Sequence, residues 1–103
     1  MNQKEYLQRF NDECEIEKEI TANKNSDYAD SGDAFANFTL IETLSDRRIS
    51  AEEGFCVRLS DKLKRITNLI SRPNKVKDES IADTLRDLSI YAKLFKIYID
   101  SKK

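Results

Sequence analysis

The chain has 103 residues, and its 18 Lys+Arg against 19 Asp+Glu leave a formal net charge of −1. That length sets one domain over 1–103, and 36% charged residues with only 2 Gly, 1 Pro and no Trp exclude collagen-like, linker-like and disulfide-rich classes and favour an all-α fold. The absence of His excludes a Ser-His-Asp triad, a Cys-His dyad and His-ligated zinc, and balanced charge argues against general nucleic-acid binding.

The opening MNQKEYLQRF lacks the apolar run of a signal peptide, and no stretch has the apolar length of a membrane span. A cytoplasmic protein without a membrane partner is therefore expected. Cys14 and Cys56 are expected to be reduced thiols packed against apolar neighbours. They cannot complete a Cys₄ zinc site, while an oxygen-only site for a hard cation stays open.

Four helices in a small bundle are expected. The first runs from about Gln3 to Ala22, with Leu7, Phe10 and Cys14 on one face and Ile16 and Ile20 on another. A polar stretch, 23–32, follows. The second covers about Asp33 to Leu44 and carries Phe35, Phe38, Leu40, Ile41 and Leu44. The third opens on Ser50-Ala51-Glu52-Glu53, a capping box in which serine and glutamate satisfy each other's backbone N–H. It runs to Ser71 before Pro73, and its apolar stripe is Phe55, Leu59, Leu63, Ile66 and Ile70.

The fourth helix runs from about Glu79 to Ser101. Ile81, Leu85, Leu88, Ala92, Phe95 and Ile99 step by fours and threes, which is a heptad-like seam. Ile90, Leu94 and Ile97 form a second row nearly opposite, with Tyr91 and Tyr98 between the two. A helix apolar on most of its circumference must be covered on several sides. Four helices in one small chain can hardly cover it, so a homo-oligomer is expected.

Two clusters carry possible chemistry. Glu79, Asp83 and Asp87 stack at four-residue steps at the start of the fourth helix, with Arg86 beside them. Such a row is stable when solvated, paired with cations or bound to a divalent metal ion. Ser80 with Asp83 also fits a capping box, which is a purely structural use of the same residues. On the third helix Arg58, Asp61 and Arg65 share a face, with Lys62 adjacent. That face is either self-paired and solvated or a phosphate site supplied with charge-assisted donors. The basic loop 71–77 leads from it to the start of the fourth helix, where anions are favoured.

Val57 to Arg65, followed by Val76 to Ala92, resembles the nucleotide modification associated domain common in bacteriophage genomes. Lys24-Asn25-Ser26-Asp27-Tyr28 and Asn37-Phe38 fit its pattern as well, so the resemblance spans about 24–92. That family is similar in helical pattern to the all-α MazG and dimeric dUTPase type nucleoside triphosphate pyrophosphatases. Those are oligomers that hold Mg²⁺ with ExxE and ExxD motifs. Here Ser80 stands where the glutamate of ExxD belongs, and the third helix has no ExxE.

The resemblance implies a nucleotide ligand first and hydrolysis second. In the enzymatic reading Asp61, Glu79, Asp83 and Asp87 hold Mg²⁺, and Asp83 serves as catalytic base. Arg58, Lys62 and Arg65 bind phosphates, while Asp27 and Tyr28 contact sugar or base. Two other readings stay open: a non-catalytic protein that sequesters a nucleotide, and a helical module that docks on a host protein. A free carboxylate set favours the enzyme; acids neutralised by arginine and lysine favour the other two.

Overall fold

Among the described residues four α-helices follow one another: α1 (Gln3–Asp27), α2 (Ala36–Leu44), α3 (Ala51–Ser71) and α4 (Ile81–Ser101). They come from a computed structural model that describes residues 1–27, 33–72 and 81–102, and no strand occurs among them. The all-α expectation with four helices holds. No helix among the described residues is long and apolar enough to cross a membrane. The chain divides into two compact units, Met1–Ala34 and Phe35–Lys103.

The first unit is built on α1. Asn2 caps it, its side-chain oxygen accepting from the Glu5 backbone N–H at 2.8 Å while its amide donates to the Glu5 carboxylate at 3.1 Å. The helix continues to Asp27 rather than stopping near Ala22. Polar residues 23–27 contain no glycine or proline, and helix propagation needs a breaker to end it more than it needs an apolar face to continue. Tyr6, Leu7, Phe10 and Ile16 are exposed, and Tyr6 and Phe10 lie 6.2 Å apart one turn from each other.

The second unit packs three helices around aromatic rings. Helix α2 starts at Ala36, three residues later than expected, after Phe35 in a cap position without a side-chain hydrogen bond. The turn into α3 passes through Asp46 and Arg47, both at positive φ (55° and 64°). It is closed by the Arg47 N–H donating to the Glu42 carbonyl at 2.6 Å. The Glu42 carboxylate then accepts from the Ala51 N–H at 2.9 Å, so α2 caps the first turn of α3. The expected capping box is formed: Ser50 Oγ accepts from the Glu53 N–H and Glu53 Oε1 accepts from the Ser50 N–H, each at 3.1 Å. Gly54 faces α2 beside Phe38 and Ile41, where a Cβ would make ordinary contacts at 3.8 and 3.6 Å.

Phe55 is fully buried between two stacked rings, Phe38 at 3.8 Å and Phe95 at 4.7 Å. Tyr98 leans on Phe55 at 5.4 Å and on Phe35 at 5.3 Å. Phe55 near the start of α3 thus meets Phe95 and Tyr98 near the end of α4. Lys62, midway along α3, meets Asp87. The two helices therefore form an antiparallel hairpin.

The seam between them corrects both expected stripes. On α3 it follows Phe55, Leu59, Lys62, Ile66 and Leu69, while Leu63 and Ile70 are 54% and 64% exposed. The expected stripe took two four-residue steps in succession from Phe55. At about 100° per residue that drifts off the face that Ala51 and Phe55 establish. On α4 the seam is Thr84, Leu88, Tyr91, Phe95 and Tyr98, whereas Leu85, Ala92 and Ile99 are exposed. The rings of Tyr91 and Tyr98 bury more area against Phe38 and Phe55 than Ala92 and Ile99 could, and they set the rotation of the helix. Of the second row, Leu94 packs against the core and Ile97 is exposed. Both cysteines are free thiols; Cys14 is half-buried, but Cys56, one step round from Phe55, is exposed rather than packed.

Candidate functional site

Residues displaced in the same rotational sense from the seam of two antiparallel helices fall on the same side of the pair. One side receives Arg58, Asp61 and Arg65 from α3 and Asp83 and Asp87 from α4. Helix α2 covers the start of that side, against Gly54, and Arg58 comes one turn later. The other side receives Leu63 and Ile70 from α3 and Leu85 and Ile99 from α4, all exposed. The hairpin thus has one polar side and one apolar side.

The two sequence clusters meet in the seam itself. Lys62 Nζ lies 3.4 Å from Asp87 Oδ2 across 25 residues of chain. It also lies 5.8 Å from the centre of the Tyr91 ring. Lys62 is only 25% exposed and Asp87 43%, so the lysine belongs to the seam and the aspartate to its edge. An ammonium held against an aromatic face keeps a favourable electrostatic contact where water is scarce. The sequence alone puts Lys62 beside the basic face of α3 and Tyr91 between the two apolar rows of α4; the structure brings them together in the seam. The signal was present, since a lysine falling at a seam position of a heptad pattern is uncommon and calls for a partner.

The other expected residues divide as follows. Arg58, Asp61, Arg65 and Asp83 are exposed on the polar side. Arg65 and Asp83, with the half-buried Arg86 of the same helix, are each engaged in further interactions. Among the described residues no three acids or cysteines gather into a group that could hold a metal ion. Asp83 lies one turn beyond Asp87, in the direction away from Asp61, so the described carboxylates do not form a preformed cage for Mg²⁺. Glu79 and Tyr28 lie outside the described residues, as does the side chain of Asp27.

At the far end of the hairpin Lys102 closes the aromatic core. Its ammonium lies 5.0 Å over the Tyr98 ring and 3.3 Å from the Glu52 carboxylate. The Tyr98 hydroxyl first, and Glu52 second, raise the Lys102 pKa above its ordinary value of 10.5. Lys96 and Asp100 form a further ion pair on the outer face of α4.

The arrangement can bind an anion at several points: a fixed ammonium in the seam flanked by two guanidinium groups on one helix face. No family model, curated protein or solved structure matches the chain.

Proposed function

We propose that this chain is a nucleotide-handling protein of the phage type. It takes the phosphates of a nucleoside phosphate on the polar side of the α3–α4 hairpin and acts as a homo-oligomer. The observation that carries the reading is the meeting of Lys62 with Asp87, with Arg58 and Arg65 on the same side. Arginine forks and a fixed ammonium are the groups that bind phosphate oxygens through charge-assisted hydrogen bonds. In this reading Mg²⁺ arrives with the phosphates, since it is commonly held by one or two carboxylates plus substrate oxygens. Asp83 and Asp87 are the carboxylates that α4 places on that side, each already engaged in an interaction of its own. The resemblance to the nucleotide modification associated domain supports the same ligand class and makes a MazG-like pyrophosphatase the enzymatic form of the proposal.

Incubating the protein with a nucleotide panel, with and without Mg²⁺, and separating the products distinguishes turnover from binding alone. A paired measurement on Arg65→Ala tests the site. Nucleotide affinity is expected to weaken by about 1.5–3 kcal/mol, the worth of a charge-assisted hydrogen bond, with little change in denaturant midpoint. A large midpoint drop with unchanged affinity would make the basic face structural.

A second reading, a module that docks on a host protein, is favoured by a different observation: the exposed apolar side of the hairpin at Leu63, Ile70, Leu85 and Ile99. Retention of that side by a second copy of the chain separates this reading from the first.

A further inference from the structure

We infer that Asp87 is a built-in competitor for the phosphate seat on Lys62, so that ligand binding proceeds by exchange of one anion for another. The inference rests on the phosphate reading above and adds how the site is regulated. Lys62 cannot leave the seam easily. It stands between Leu59 and Ile66 along the half-buried seam of α3, its ammonium lies 5.8 Å from the centre of the Tyr91 ring, and only a quarter of the side chain is exposed. Asp87 differs, because at 43% exposure its carboxylate can rotate into water without moving the helix. A carboxylate and a phosphate offer the same kind of acceptor oxygen to an ammonium, so only one of them takes this contact at full strength.

The asymmetry gives the exchange its direction. Removing Asp87 from Lys62 without replacement would leave a half-buried ammonium without its carboxylate, which is unfavourable. A phosphate oxygen arriving from the polar side removes that cost, and the released aspartate is solvated at once. The tethered carboxylate nevertheless competes at a high effective concentration, on the order of millimolar or above. A ligand must therefore bring more than one contact to displace it. Arg58 and Arg65 lie on the same flank of α3, and a chain of phosphates that also displaces the present interaction of Arg65 gains further contacts there, whereas a single phosphate reaches fewer of them. The site so built rejects orthophosphate and small carboxylates and admits a polyphosphate.

Calorimetric titration in metal-free buffer tests this, with inorganic tripolyphosphate and orthophosphate as probes. The wild-type chain is expected to bind tripolyphosphate and not orthophosphate. Asp87→Asn, which keeps shape and removes charge, should tighten tripolyphosphate binding by up to about fivefold, the upper worth of a partly exposed pair. Lys62→Met should weaken binding, and in Lys62→Met/Asp87→Asn the gain from the asparagine should vanish, as a double-mutant cycle requires. Asp87→Ser repeats the measurement should the asparagine disturb the seam. Wild-type binding that is unchanged or weakened by both Asp87 substitutions overturns the exchange while leaving the phosphate site standing. Absence of tripolyphosphate binding in every form overturns the phosphate reading and the exchange with it.

Discussion

If the chain assembles through the apolar side of the α3–α4 hairpin, as proposed, replacing Leu63 by Asp should dissociate it without unfolding it. Leu63 and Leu85 lie on the apolar side of the α3–α4 hairpin and are 54% and 48% exposed. Full burial of a leucine side chain is worth roughly 1.5–3 kcal/mol, so covering the exposed half of each returns about 1 kcal/mol. Across a twofold axis every residue is buried twice, and loss of one leucine removes about 2 kcal/mol per dimer. That alone weakens association about thirtyfold, and the desolvation of two carboxylates adds to it. Sedimentation equilibrium from about 1 to about 100 µM reads the effect, in a range where a thirtyfold change in Kd is resolved. Far-UV circular dichroism checks that the helices persist, which is expected because Leu63 is outside the aromatic core. Leu94 would be a poor probe, since it packs against that core and its loss reports folding. A wild-type mass of one chain over the whole range, or an unchanged mass for Leu63→Asp, would refute the reasoning.

Three further outcomes follow from the second unit. Phe55→Ala should cost about 3–5 kcal/mol, because the ring is fully buried between Phe38 and Phe95; a thermal melt lowered by less than about 1 kcal/mol would contradict the stack as the centre of the core. Gly54→Ala should stabilise by up to about 1 kcal/mol in chemical denaturation, since a Cβ there meets Ile41 and Phe38 at ordinary contact distances of 3.6 and 3.8 Å and helix propensity improves. The raised pKa of Lys102 gives a stability contribution that is full below pH 10.5 and is lost as pH rises through the raised value. Lys102→Met should flatten that part of the alkaline stability profile, and an unchanged alkaline fall would show that the Tyr98–Glu52 contacts contribute nothing.

What the sequence made legible followed from local chemistry. Ser50 and Glu53 are three residues apart, and their reciprocal hydrogen bonds depend on nothing beyond that spacing, so the start of α3 was readable to the residue. The rotation of α3 and α4 about their axes was not, because it depends on which rings meet across the chain. Tyr91 and Tyr98 outcompete Ala92 and Ile99 only once Phe55 is known to face them. The same holds for the site. The basic and acidic clusters were visible as residue types at helical spacing, but their meeting through Lys62 and Asp87 required the antiparallel pairing and its level. The end of α1 was misjudged because hydrophobic periodicity marks a buried face, and 23–27 extend a helix whose polar end needs none.

The seam position of Lys62 bears on why the chain carries this pair at all. A methionine there, facing a leucine in place of Asp87, would fill the same volume next to Tyr91, Leu59 and Ile66. An ion pair whose carboxylate is 43% exposed adds only about 0–1 kcal/mol to stability. Stability by itself therefore does not call for Lys62 and Asp87. One alternative use is register, since a polar pair at one level of the seam penalises sliding α3 along α4. Yet the hairpin already has its level set at the other end by the Phe38–Phe55–Phe95 stack and the Glu52–Lys102 bridge. A second register device would add little to those. The pair also opens toward the side where Arg58 and Arg65 lie, which a register device does not require. A cation in the seam, paired with an acid at its edge and flanked by arginines, is the arrangement that the proposed exchange of one anion for another requires, and folding alone does not require it.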